Sequence, residues 1–209
     1  LGAVDLRDAL SFENNIRINR DNALGSSGLS LMGISGNNVK LMVDGVPVIG
    51  RLFGQLDLEQ FNLINSSQVE VIRGPMSVIY GSNALAGTIN LISNNPSKRR
   101  ASLRATHETD GQYHLSGQWS QPINNHLISL SGGRMFFNGW SAGDSDRTFD
   151  WIPKEQYNAR LAYQYRTDSF RVNIRSEYTR AFLLDRGAPL LPYGEFAIDQ
   201  KYTNQRLII

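Results

Sequence analysis

The side chains able to do chemistry are few, and their spacing rules out most of it. Three histidines, His107, His114 and His126, are present with no cysteine. Without cysteine there are no disulfides, thiolate metal sites or cysteine nucleophiles, and the redox compartment stays open. A two-residue turn would set His107 opposite His114 as a ligand pair, but the alternation of their segments puts them on opposite faces, which argues against a histidine metal site. No Ser-His-Asp spacing, Walker lysine, H-E-x-x-H or G-x-S-x-G occurs. Gly25-Ser26-Ser27-Gly28 and Gly33 to Gly36 lack a phosphate-binding lysine and read as turns. Asp5, Asp8, Glu13, Asp44, Asp57, Glu59 and Glu70 show no pairing, so solvated faces and caps are expected. What remains is binding rather than catalysis. The glycine-punctuated loop Ile49 to Gln55 sets Arg51 beside Leu52 and Phe53. Two readings stay open: its aromatic tucks back onto a sheet, or the loop is a binding apex with apolar and cationic contacts.

Composition bounds the partners. The 209 residues are 41% hydrophobic with a net charge of +2, enough for a core and too mild for nucleic acid. Lys98-Arg99-Arg100 is the single tight basic run. No apolar run approaches the roughly 18 residues of a membrane helix, and no signal peptide opens the chain. An exported protein with this sequence is expected to begin upstream of it.

The elements that must position these groups are organised around Glu70 to Ile92. Gln68 to Ile72 alternates and is β-branched, which predicts a strand, and Arg73-Gly74-Pro75 stops it. Met76 to Tyr80 gives about one helical turn, Gly81 takes a left-handed position, and Gly87 to Ile92 resumes extended structure. Upstream, Asp5 caps a short helix whose Leu6 and Leu10 share a face, and Ile16 and Ile18 alternate in a strand. Asn19 to Gly28 reads as turn chemistry throughout, excluded from any core. Leu29 to Ile34 alternates again, and Asp44-Gly45 after Val39 to Val43 is the strongest hairpin signal, with Pro47 limiting its second arm to an edge. Leu56 to Phe61 reads as a polar connection into a short helix.

The run Arg73, Gly74, Pro75, Tyr80, Gly81, Ser82, Ala84, Gly87, Ile89, Asn90 and Ile92 resembles the signature near the end of the plug domain in TonB-dependent outer-membrane receptors. Val39 to Val48 resembles the same family's upstream strand and turn, in the family's order. The resemblance implies a plug over residues 1–97. It also implies that the loops touching the ligand are Asp21 to Ser27 and Ile49 to Gln55, so the candidate contacts are Asn22, Leu24, Ser26, Ser27, Arg51, Leu52, Phe53 and Gln55. Glu70 and Arg73 become candidates for salt bridges seating a plug against a barrel wall. The partner implied is TonB, acting through an N-terminal box outside these residues, and no cofactor is implied.

From Ala101 onward the chain becomes a succession of alternating segments of about ten residues. Such alternation fits a half-solvated soluble sheet or a transmembrane barrel. Two features favour the barrel. Tyr157 and Tyr165, and again Phe170 and Tyr178, stand eight residues apart on the apolar face. At 3.3 Å per residue and a 40° tilt that is about 20 Å, near the height of an outer-membrane apolar band. The connections also alternate: Ile123-Asn124 and Asp168-Ser169 are tight, Asn138 to Glu155 and Leu183 to Gln200 long, with a short loop at Asp110-Gly111 as the partial exception. Arg104, Arg160, Arg166, Arg171, Arg175 and Glu177 must then face the lumen. Thr167 should sit opposite Phe170, and the loop around Gly111 should be odd in length.

The expected fold is an α+β plug domain followed, over residues 98–209, by antiparallel β-strands of a transmembrane β-barrel. About six strands are expected here, a part of the roughly 22 in plugged outer-membrane transporters. The resemblance implies a receptor in the outer membrane of a Gram-negative bacterium that imports a scarce nutrient. A ferric siderophore complex leads, then cobalamin, then haem, which the histidine-free plug section disfavours. The opposing class is a non-transport β-rich surface or adhesion module, which a reading frame stopping shortly after Ile209 would favour.

Overall fold

The computed structural model describes residues 2–21, 26–35, 38–49, 57–76, 81, 83–94, 96, 98–140, 142, 151–186 and 197–208. The chain divides into two compact units, one from Leu1–Asp21 and Ser26–Asn95, the other from Pro96–Ile209. No helix among the described residues is long and apolar enough to cross a membrane.

The first unit opens with helix α1, Leu6–Ser11. Asp5 caps it by accepting from the Asp8 N–H at 2.9 Å, and Leu6 and Leu10 are buried on one face. The helix is followed by strands β1 (Ile16–Asp21), β2 (Ser26–Leu31) and β3 (Ile34–Ser35), a three-stranded antiparallel sheet. This corrects the expectation that Asn19 to Gly28 is turn throughout. Asn19 pairs with Gly28, Arg20 with Ser27 and Asp21 with Ser26, and Ser27 is only 1% exposed. Ladder partners supply the hydrogen bonds that local turn chemistry would otherwise take, so a polar, glycine-containing stretch still zips into a hairpin.

A second sheet has the order β5-β4-β7-β6, made of β4 (Val39–Val43), β5 (Val46–Pro47), β6 (Ser66–Arg73) and β7 (Gly87–Ser93). The Asp44-Gly45 hairpin forms as expected, both residues at positive φ (51° and 79°), and β5 with Pro47 is an edge. The two sequence signatures become neighbours here, since β4 and β7 pair in parallel from Val39 opposite Gly87 to Val43 opposite Leu91. Their apolar residues join Leu6, Leu10, Leu31, Leu58 and Phe61 in one core. Gly87, at φ 142°, lets the two sheets approach: a Cβ there would lie 2.2 Å from the Ile72 carbonyl oxygen and 2.7 Å from Leu31 Cδ2. Between β5 and β6 a 3₁₀ turn, Leu58–Gln60, is capped by Asp57, and its three residues are buried, unlike the polar connection expected there. The helical turn expected over Met76 to Tyr80 falls largely outside the described residues. Gly81 is left-handed as expected.

The second unit is a six-stranded antiparallel meander. Its strands are β8 (Arg100–His107), β9 (Gln112–Ile123), β10 (His126–Phe137), β11 (Lys154–Arg166), β12 (Arg171–Arg186) and β13 (Ala197–Ile208), each hydrogen-bonded to the next. Thr167 donates its N–H to the Phe170 carbonyl, the predicted pairing. His107 pairs with Tyr113, so an odd number of residues, 108–112, separates the paired positions, as the parity requires. The tight turn after β9 is Asn124-Asn125, one residue later than expected, with Asn124 left-handed. The last long connection is shorter than expected: β12 continues to Arg186 and β13 begins at Ala197, because the two strands pair residue by residue beyond where hydropathy alternates cleanly.

Candidate functional site

The two faces of the meander differ in kind. Register carries each strand's parity across the sheet, so Ala105, Leu115, Arg134, Tyr157 and Arg180 share one face, while Thr106, His114, Met135, Gln156 and Ala181 share the other. On β9 the polar side is buried, Gln112, His114, Ser116, Gln118 and Ser120, and Tyr113, Leu115 and Trp119 are exposed. Leu103 is 78% exposed and Leu130 and Leu161 about half, which is the reverse of a soluble protein. The polar face fits a hydrated interior and the apolar one fits lipid.

All six charges assigned to the polar face fall there by register, Arg104, Arg160, Arg166, Arg171, Arg175 and Glu177. They are not all isolated. Arg160 sits directly opposite Glu177, Nη2 to Oε1 2.8 Å, and Arg175 Nε approaches the same oxygen at 3.3 Å. One carboxylate set between two guanidiniums holds both in place on this buried face. The histidines follow the predicted parity: His114 is buried, His107 lies on the exposed face against the Tyr113 ring at 4.4 Å, and Thr106 pairs with His114. His114 Nε2 lies 2.5 Å from Gln112 Nε2 and 3.6 Å from Glu108.

In the first unit the proposed ligand loops largely escape description. Asn22 and Leu24, and Arg51, Leu52, Phe53 and Gln55, lie outside the described residues. Ser26 ends the β1–β2 pairing and Ser27 is buried within it. Glu70 binds inside its own sheet, accepting from Gln68 Nε2 at 2.7 Å and Asn90 Nδ2 at 3.2 Å, and Asn90 in turn accepts from the Gly45 N–H at 3.0 Å. Asp44 completes the staple, accepting from the Ser93 N–H and hydroxyl, both at 2.7 Å. Arg73 pairs with Glu13 at 3.0 Å and donates to the Asn14 carbonyl at 3.4 Å.

The acids include two that are buried, correcting the expectation of solvated faces. Asp5 is 1% exposed and Glu59 is 7%. Burial pushes the Asp5 carboxyl up to about 7, although Arg7 opposes it. Arg7 spans Asp8 at 2.9 Å and Glu59 at 2.7 Å. Burial works against its charge, but Glu59 and Asp5 outweigh that and hold its pKa above the ordinary arginine value. Sequence reasoning missed this latch because its partners stand 52 residues apart. The one available signal was an Arg and an Asp beside capped, leucine-bearing helix residues.

Comparison with known proteins meets this geometry at both ends. A family model described as the TonB-dependent Receptor Plug Domain matches residues 1–88. Solved structures with the same fold include the copper transporter OprC, at 16% identity and TM-score 0.72, over 98% of this chain and 31% of that one. The FrpB iron transporter from Neisseria meningitidis matches at 18% and 0.67, over 99% and 34%. A mutant of the ferric enterobactin receptor PfeA from Pseudomonas aeruginosa matches at 16% and 0.64, over 87% and 31%. Residues 1–88 thus match the plug domain of TonB-dependent receptors, and the chain as a whole shares the fold of these solved structures. It spans about a third of the length of these structures. The first unit carries the plug match, and the second, an inverted sheet left unclosed among the described residues, has the fold of the strands it superposes on.

Proposed function

We propose that the chain supplies the plug and first strands of an outer-membrane receptor that imports a ferric siderophore complex, powered through TonB. The carrying observation is an inside-out meander in the same chain as a plug match: its polar face is buried and its apolar face exposed, as in the wall of a hydrated barrel. FrpB and PfeA are named for iron and ferric enterobactin, which supports iron over cobalamin or haem. OprC, named for copper, makes a copper complex the second reading. Cargo contacts are assigned to Asn22, Leu24 and Ser26 in one loop and Arg51, Leu52, Phe53 and Gln55 in the other, not to buried Ser27. Glu70 and Arg73 are assigned to seating the plug, in addition to their bonds within it.

The test is a fluorescence titration of the full-length receptor in detergent. Trp140 and Trp151 bridge the base of the first long connection, rings 6.3 Å apart, and stand where outer loops would close on cargo. Saturable quenching by ferric siderophores, weakened in Phe53→Ala and Arg51→Gln, is expected. A response only to haemin, cobalamin or a copper complex would replace the cargo, and no response to any would overturn the import reading.

A further inference from the structure

The polar face of the meander changes character in the rows beside the 108–112 connection. One cross-strand row reads Thr106, His114, Met135 and Gln156 on β8, β9, β10 and β11. His114 is 5% and Met135 4% exposed, and they pair directly, so their side chains leave the sheet about 5 Å apart. Glu108 extends the same face past Thr106, its N–H donating to the Gln112 carbonyl at 2.8 Å, and its carboxylate stands 3.6 Å from His114 Nε2. The Gln112 side-chain amide lies 2.5 Å from that nitrogen. Thr106 Oγ1 and Ser116 Oγ are buried with no hydrogen-bond partner among the described residues.

A buried methionine is commonly a gap-filler in an apolar core. Met135 is not in one, since register sets it between His114 and Gln156 on the polar face. Among the described residues no three His, Cys, Asp or Glu stand together to hold a metal ion, so the thioether decides the chemistry. Parity forbids a two-histidine site here, but it brings imidazole, thioether, carboxylate and hydroxyl to one place. Two bonds of about 2.1 Å to one ion, opened to about 115°, span about 3.5 Å, and His114 Nε2 and Glu108 stand at 3.6 Å. Imidazole suits copper, and a thioether selects its monovalent state. Charge points the same way. Glu108 brings a single negative charge, and Arg104 and Lys154 share the face. A monovalent ion leaves the group neutral, where a divalent one would add uncompensated positive charge.

We propose that His114, Met135 and Glu108 bind a copper(I) ion, with Thr106 Oγ1 as a further donor. The ion displaces the Gln112 amide from His114 Nε2. The site goes beyond the siderophore reading and needs only the register of β8 to β10.

The test is a titration of the full-length receptor in detergent, cleared of metal by a chelator, with Cu(I) kept reduced by ascorbate. The wild type should bind one ion that His114→Gln/Met135→Leu does not, and each single variant should weaken it at least about tenfold. X-ray absorption should show copper with a sulfur neighbour, kept in His114→Gln and lost in Met135→Leu. Zn(II) at equal concentration should not displace the ion. Equal binding by the wild type and the double variant overturns the site, as does a sulfur neighbour that persists in Met135→Leu, which places the ion at another methionine. Displacement by Zn(II) overturns monovalent copper as the occupant. Leucine conserves the volume of Met135, and gel mobility before and after heating shows whether each variant holds its fold. Should the buried variants fail to fold, Glu108→Gln decides, because the Glu108 side chain is 39% accessible and its loss leaves the packing intact. It should weaken the ion by a smaller factor than the buried variants, and unchanged affinity there overturns the site.

Discussion

The plug sheet and the barrel meander are written in the same alternating code and bury opposite halves of it. In β4 and β7 the residues facing inward are Leu41, Val43, Ile89 and Leu91, all buried in an apolar core. In β9 the buried residues are Gln112, His114, Ser116, Gln118 and Ser120, while Tyr113, Leu115 and Trp119 face out. A period of two makes a strand in either case, but it does not say which face meets which solvent. The plug hides apolar surface from water, and the meander turns it outward and buries its polar groups, the arrangement that suits lipid outside and a hydrated interior. The same mutation should therefore have consequences of very different size at equivalent positions.

The largest effect should come from Gly87→Val, where the plug's two sheets meet. A side chain there must displace the Ile72 backbone and Leu31 while holding φ at 142°. Strain and overpacking together predict a loss of about 3 kcal/mol or more. Hydrogen exchange of the full-length receptor should show β4 and β7 losing protection while β9 to β11 keep theirs. Loss of protection in both regions alike would break the distinction between them.

Next comes a matched pair, Leu41→Ala and Leu115→Ala. Leu41 is fully buried, so its truncation should cost about 3 kcal/mol through lost transfer energy and a cavity. Leu115 is half exposed on the outward face, and in lipid or detergent its truncation should cost well under about 1 kcal/mol. Protease resistance of the plug and heat-modifiable mobility of the barrel read the two costs separately. Equal costs would mean that the outward face is packed against protein.

A smaller, pH-dependent effect belongs to the plug alone. Asp5 is pushed up to about 7 by burial, from 3.8. The folded state therefore holds this proton where the unfolded state has released it. The stabilisation is fully present below about pH 4 and is lost as pH rises towards 7. Asp5→Asn keeps an oxygen to cap α1 and should flatten the local stability of α1 between pH 4 and 7, measured by exchange at Ala9 and Leu10. A slope that survives the substitution would assign the titration to another group.

How much of this was legible followed the range of the interactions. Local rules placed α1 from Asp5, Leu6 and Leu10, the hairpin from Asp44-Gly45, and the odd loop at Gly111 from face parity, because each depends on neighbours within a few residues. The hairpin through Asn19 to Gly28 was missed because its polar residues favour turns until a partner strand competes for their backbone. The Arg7–Glu59 latch and the Arg134–Glu155 pair were missed because separations of 52 and 21 residues leave no periodic trace. Arg134 also sits in the least regular segment, where Gly132 and Gly133 blur the alternation.

The smallest effect sharpens the comparison most at Arg73, one of the two residues assigned to both regions. Arg73 and Glu13 form an exposed pair, their side chains 40% and 48% accessible, and such pairs contribute about 0.5 kcal/mol. If Arg73 served the plug alone, Arg73→Gln, Glu13→Gln and the double variant would close a cycle with a coupling of that size, and once Glu13 was gone Arg73→Gln would cost only its long, salt-insensitive bond to the Asn14 carbonyl. The seating role predicts a remainder: in the Glu13→Gln background, Arg73→Gln should still speed release of the plug, seen as faster exchange across β6 and β7 in the full-length receptor. Because the remainder is electrostatic and close to the surface, it should shrink as salt is raised. A cycle that closes at every salt concentration returns Arg73 to the plug, and a remainder that persists at low salt ties it to the barrel wall.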